Sequence, residues 1–293
     1  MIVFNVPTIP HDHIRGFYEL FDIQQKIIQA MSNGQRNIHL DFSKCRFLPH
    51  YAVTVLGGLA RYTEHNGCHL QFRWSTVNKR VLTNLLQNGF AGMFGYGTGP
   101  WEGNSIPYRE DRISNEAAII TYLREDWLGR GWLQISEKLS NAIVGKVWEI
   151  YTNTFEHGAS PIGTISCGQH YPKLHELHLT VVDFGVGIPT SVRNFHERNS
   201  ISGAKALQWA FQLGASTKME DEGGPRGLGL GILKDFIRIN KGSLQVFSQD
   251  GYARIGNHPD IFEQSKVPFQ GSLVDISLTC DESYYVLASE INN

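Results

Sequence analysis

The chain has no excess of either charge: across its 293 residues, 26 Lys and Arg stand against 28 Asp and Glu, a formal net of -2. Without a basic field, nothing in the composition favours a nucleic-acid backbone or an anionic membrane surface, so direct contact with either is not expected. Cysteine is scarce. Cys45, Cys68, Cys167 and Cys280 lie far apart and form no CxxC, which leaves neither zinc-knuckle spacing nor a disulfide framework and fits a reducing cytosol. Long apolar runs are also missing. The uncharged stretch Tyr51–Ala60 is too short to cross a bilayer, and the N-terminal residues lack the charged-then-apolar order of a secretory signal. A soluble, cytoplasmic protein is the expectation. Nor is there a GxxxxGK run followed by Ser or Thr, which excludes a P-loop nucleotide site.

Glycine, by contrast, is concentrated in two places: six fall between Gly89 and Gly103, and five between Gly223 and Gly231. Each marks a need for backbone freedom. The first cluster has neither helical nor strand period and reads as a connector, and the length suits two domains. The expected division is residues 1–95, a connector and helix over 96–130, and a second domain over 131–293.

In the first part, Ile38, Leu40 and Phe42 alternate with His39 and Asp41, the pattern of a half-buried strand over 37–42. A helix is expected over 52–66, closed by Gly67, then a strand over 69–74 and a helix over 78–87. This order argues for an α/β sandwich. The run IHLDFSKCRFLPHYAVTVLGGLARYTEHNGCHLQF resembles the STAS domain of anti-sigma-factor antagonists. The resemblance implies a docking or regulatory domain. The loop that carries a phosphorylatable serine in that family reads Leu48, Pro49, His50, Tyr51, Ala52 here.

Beyond the connector, helices are expected over 115–127 and 135–156, the second with Ile135, Leu139, Ile143, Val147 and Ile150 recurring every three or four residues. Strands follow at 163–167 and 177–182, helices at 204–213 and 227–239, and strands at 243–248, 252–255 and 272–279. Helices layered on one mixed, largely antiparallel sheet accommodate that order.

Three elements carry chemistry. Glu149 and Asn153 are four apart on a helix and stack on one face, pairing a carboxylate that can take a proton from water with an amide oxygen suited to a hard cation. Alone, such a pair is ordinary helix surface. Asp183, Phe184, Gly185, Val186 and Gly187 follow a strand, placing an acceptor for an exocyclic amine beside glycines that admit a planar base. Alone, this is a tight turn. Gly223 to Gly231 opens a helix, where free amides and the helix dipole favour phosphate. A dinucleotide fingerprint would need a preceding strand, and KMEDEGGPR is not one.

In combination, VWEIYTNTFEHG, VVDFGVGIP and GGPRGLGLGILKDF resemble the N-box and the two glycine boxes of the GHKL, or Bergerat-fold, ATPases over about residues 130–280. The resemblance implies an ATP site with Mg²⁺ in a mostly antiparallel α/β sandwich. It assigns Glu149 as general base, Asn153 as Mg²⁺ ligand, Asp183 to the adenine amino group, and Gly185 and Gly187 to the base. The run Arg226, Gly227, Leu228, Gly229, Leu230 and Gly231 falls to the phosphates, with Lys218 a further phosphate contact in a lid over 216–226. Ser272 stands where many members have a threonine near adenine.

Three uses of such a site follow: an ATP-driven regulatory switch, a serine/threonine kinase of the anti-sigma type acting on a STAS-like or other regulatory protein, and an ATP sensor that seldom turns over. The switch is the leading expectation. A homodimer is implied by analogy with related ATPases. A histidine kinase is disfavoured because no helical hairpin bearing a phosphoacceptor histidine precedes the site. His175 and His178, three apart in a strand, should face opposite ways and are expected to be surface residues. His11 and His13 can share a face, but no further ligand is near in sequence.

Overall fold

Alternation and helical period both reappear in the computed structural model of the chain, which describes residues 1–11, 14–197, 200–212 and 231–291. The N-terminal unit runs β1 (Ile2–Asn5), α1 (Ile14–Ser32), β2 (Asn37–Asp41), α2 (His50–His65) and β3 (His69–Phe72), and its strands form a parallel sheet in that order. In β2, Ile38 and Leu40 are fully buried. Along α1, Phe17, Leu20, Phe21, Gln24 and Ile27 form a buried stripe at helical spacing. α2 is buried from His50 to Ala60 because it is packed against β3 and α1 as well as two strands of a second sheet. Next come α3 (Lys79–Gln87) and α4 (Phe90–Met93). α3 is started by Asn78, whose side chain accepts from the amides of Arg80 and Val81.

The second sheet begins inside the expected connector, with β4 (Ser105–Asp111). This strand was illegible because SIPYRED carries a proline and four charged or polar residues, a composition suited only to an edge. There Arg109 pairs with Asp111, and the register shifts between Ile106 and Arg109. α5 (Glu116–Thr121) continues as a π-type turn to Leu128, and α6 (Glu137–Asn153), capped by Ser136, continues likewise through Thr154–Gly158. β5 (Thr164–Tyr171), β6 (Glu176–Asp183), α7 (Ile188–Phe195), α8 (Gly203–Ala210), α9 (Gly231–Asn240), β7 (Ser243–Gly256), β8 (Ile261–Thr279) and α10 (Ala288–Ile291) complete the described chain. The sheet order is β4-β5-β6-β8-β7, every neighbour antiparallel.

The three strands expected near the C-terminus are therefore two longer ones. β7 passes through both 243–248 and 252–255, its register slipping around Gln249, which sits at φ 50. A bulge of this kind breaks the two-residue period without ending the pairing. The sheet's faces are cleanly divided. On β6, Leu177, Leu179 and Val181 join the core made with α6, α8 and α9, whereas Val182 joins the core made with α1 and α2. Aromatic rings stitch the second interface: Phe17 and Phe21 lie 4.8 and 5.1 Å from Phe247. Among the described residues no helix is long and apolar enough to cross a membrane.

Candidate functional site

Strand pairing sets Asp111, Thr164, Asp183, Ser272 and Ser248 side by side across all five strands. Directly opposed residues share a face, so this polar row ends the apolar surface on the helix side of the sheet. Asp183, the last residue of β6, is at its centre and only 4% exposed. Its Oδ1 accepts from the Gly185 amide at 2.8 Å, and Thr154 donates to Oδ2 at 3.5 Å. Burial raises its pKa to about 6, against the opposing pull of hydrogen bonds from Gly185, Ser272 and Thr154. These partners are neutral dipoles.

The loop after Asp183 is built for close approach. A Cβ on Gly185 would collide with the Gly158 carbonyl, which accepts the Val186 amide at 2.7 Å. Gly187 has φ 78 and ψ 154, a region essentially closed to residues with side chains, and caps α7. The end of α6 and the end of β6 are thereby tied together. Asn153 is the last residue of α6, next to Thr154, and its carbonyl and Asp183 Oδ1 both lie within 4 Å of where a Gly158 Cβ would stand.

Glu149, one turn earlier, does not stand alone: Lys146 Nζ lies 2.6 Å from its Oε1, and its side chain is 36% exposed. That partner was readable from its spacing of three on the helix. Ser272 lies 3.0 Å from Ser248, which also accepts from the Ile188 amide at 2.9 Å and donates to Gly271 at 3.0 Å. Ser248 and Thr154 were missed because only strand pairing and the turn after α6 bring them to Asp183. α9 starts at Gly231 and packs against α6. Lys218, Arg226, Gly227, Leu228, Gly229 and Leu230 lie outside the described residues.

Two attachments join this loop to the N-terminal unit. The Phe184 ring fills the space left by the missing side chain of Gly58 on α2 and lies 5.5 Å from Tyr62. Gln24 on α1, fully buried, donates to the Gln270 carbonyl and accepts its amide at 2.9 Å, while the Gln270 side chain donates to the Gly185 carbonyl at 3.2 Å.

A second polar cluster occupies the opposite face. His178 is 1% exposed, which corrects its expected surface position. Its Nε2 is 3.1 Å from Glu176 Oε2, and the same oxygen is 2.8 Å from His11 Nε2. His50 Nε2 is 2.9 Å from Asp275 Oδ1, and its Nδ1 is 3.2 Å from the Tyr171 hydroxyl. Thr180 also donates to Asp275 Oδ1. Burial drives His50 down to about 4. For His178 burial acts the same way, but Asp275 and Glu176 outweigh it and raise the ring to about 9. Burial would raise Asp275, yet the two imidazoles hold it well below the usual carboxylate range. His175 sits in the turn before β6 at φ 55, and His13 lies outside the described residues. No protein-family profile matches the chain, and no curated protein matches it.

Proposed function

We propose that the chain binds ATP with Mg²⁺ where β6 and α6 end, and that it works as an ATP-regulated switch read by its N-terminal unit. The observation that carries this reading is Asp183, a buried carboxylate held by neutral donors and followed by glycines that leave no room for a Cβ. A carboxylate of this kind accepts well from an exocyclic amine, and the bare backbone beside it suits a planar base. The Asn153 amide oxygen suits a hard cation, and the Glu149 carboxylate a turn away suits proton abstraction from water. The Lys146 ammonium would have to release Glu149 for that role. Bound MgATP would supply an electrophilic terminal phosphate. The chain would contribute orientation of the base by Asp183, cation binding by Asn153 and proton transfer at Glu149. The sequence of the glycine-rich run before α9 suits phosphate, and the resemblance to GHKL ATPases supports the same assignment.

The two attachments of the Asp183 loop, through Phe184 to α2 and through Gln270 to α1, support the switch reading. A ligand that moves this loop would shift the packing of the N-terminal unit only to the extent that it binds two arrangements differently.

Titration calorimetry with ATP and Mg²⁺ tests the site. Asp183→Asn should weaken affinity by roughly 10- to 100-fold, the worth of a charge-assisted hydrogen bond; undiminished affinity rejects the assignment. Glu149→Ala should retain ATP affinity while phosphate release falls by about 10²-fold or more. Turnover that survives this change removes Glu149 from the chemistry.

A further inference from the structure

We infer that His11, Glu176 and His178 form a transition-metal site, of the kind that takes Zn²⁺, joining the N-terminal unit to the second sheet. The three ligand atoms lie within 4.8 Å of one another. Glu176 and His178 are two apart on β6 and so project from the same face. His11 arrives from the loop between β1 and α1, 165 residues away in sequence from Glu176.

Proton counting argues against this cluster being complete as a set of hydrogen bonds. An ionised carboxylate only accepts, so His11 and His178 must both carry a proton on Nε2 to bond Glu176. Their other ring nitrogens, His11 Nδ1 and His178 Nδ1, are then buried without a partner at hydrogen-bond distance among the described residues. A buried ring nitrogen left in that state is costly. A cation between the three groups would displace the Nε2 proton of His178, whose lone pair then meets the ion, and leave the proton on Nδ1. That nitrogen faces Asp275 Oδ2 at 3.9 Å, so a small closure completes the carboxylate–histidine–metal unit that orients metal-bound imidazoles.

The neighbouring trio His50, His178 and Asp275 is a poorer site. Its side chains are almost wholly buried, and His50 and Asp275 are already bonded to each other, to Tyr171 and to Thr180. It reads as the outer support of the first trio. His11 and Glu176, with side chains 20% and 29% exposed, give an ion a way in. Two imidazoles and one carboxylate favour Zn²⁺ or Co²⁺ over Mg²⁺ or Ca²⁺, which prefer oxygen. Bonds of about 2.0–2.1 Å in a tetrahedron separate ligand atoms by roughly 3.3 Å. The observed 2.8 and 3.1 Å need only a few tenths of an ångström of opening. The site lies on the opposite face of the sheet from Asp183 and does not depend on nucleotide binding.

The test uses the full chain, stripped with a chelator and titrated with Zn²⁺ against a chromophoric chelator of known affinity. One equivalent should bind with a dissociation constant below about 1 μM, and the unfolding midpoint should rise with Zn²⁺ but not with Mg²⁺. His11→Ala and Glu176→Gln should each weaken binding at least about tenfold, while His65→Ala and His69→Ala, at exposed positions, should not. Both ligand variants change partly exposed side chains, so their circular dichroism should match that of the parent. Failure to bind one equivalent, or binding that survives both His11→Ala and Glu176→Gln, overturns the inference.

Discussion

Two aspartates, Asp183 on β6 and Asp275 on β8, are buried in the same sheet and held in opposite ways. Asp275 faces the N-terminal unit, where His50, His178 and Thr180 surround its oxygens and keep it ionised. Asp183 faces the helix layer, where its partners are an amide and hydroxyls, and burial raises it to about 6. The first is what a structural charge needs, since its solvation is replaced from within the fold. The second leaves a desolvated acceptor unmatched by any cation among the described residues. A charge kept at that cost is what the proposed ligand site would use.

The comparison can be broken most forcibly at Asp275. Asp275→Ala leaves two buried imidazoles without their carboxylate and should cost about 3–5 kcal/mol, read from denaturant unfolding at neutral pH. A loss below about 1 kcal/mol would mean that the cluster is not a structural anchor. The next effect belongs to Asp183. Its ordinary value is 3.8 and its folded value about 6, so the folded chain binds the proton more tightly. Stability must then fall as pH rises from about 4 to 6, by roughly 3 kcal/mol, and level off above. Asp183→Asn has no such proton, so the difference in stability between parent and variant should change over that window and be flat above it. A difference that is flat from pH 4 upward would put the two aspartates in the same class.

How much of this was legible depended on whether the signal was local. The helix bearing Leu139, Ile143 and Val147 repeats every four residues, and β6 alternates, so both stood out before any tertiary information. β4 did not, because Pro107 and the Arg109–Asp111 pair give an edge strand the composition of a loop. The run from Asp183 to Gly187 is contiguous and could be read as a unit. The row that includes Thr164, Ser272 and Ser248 exists only once strands 164–171, 261–279 and 243–256 are paired. The histidine cluster was hidden for the same reason, since His50 and Asp275 are 225 residues apart. The relevant partner of His178 was Glu176, two residues away, rather than His175.

The smallest expected effect asks whether the two faces communicate, and the adjacent glycines of α2 allow a matched experiment. A Cβ at Gly57 would strike the Tyr108 ring and hydroxyl, and one at Gly58 would strike the Phe184 ring. Both rings are buried, so Gly57→Ala and Gly58→Ala should each destabilise by about 1–3 kcal/mol through overpacking. Their consequences for the Asp183 site should differ. Tyr108 sits on β4 and bonds Glu110, two strands from Asp183, whereas Phe184 directly follows Asp183 and precedes Gly185. Displacing Phe184 must turn the backbone that carries the Gly185 amide, and with it the carboxylate that amide orients at 2.8 Å. Gly58→Ala should therefore weaken adenine-nucleotide affinity by several-fold while Gly57→Ala leaves it within about twofold, a gap of roughly 1 kcal/mol. Equal affinities in two folded variants would show that the N-terminal unit holds the sheet without reaching the Asp183 loop.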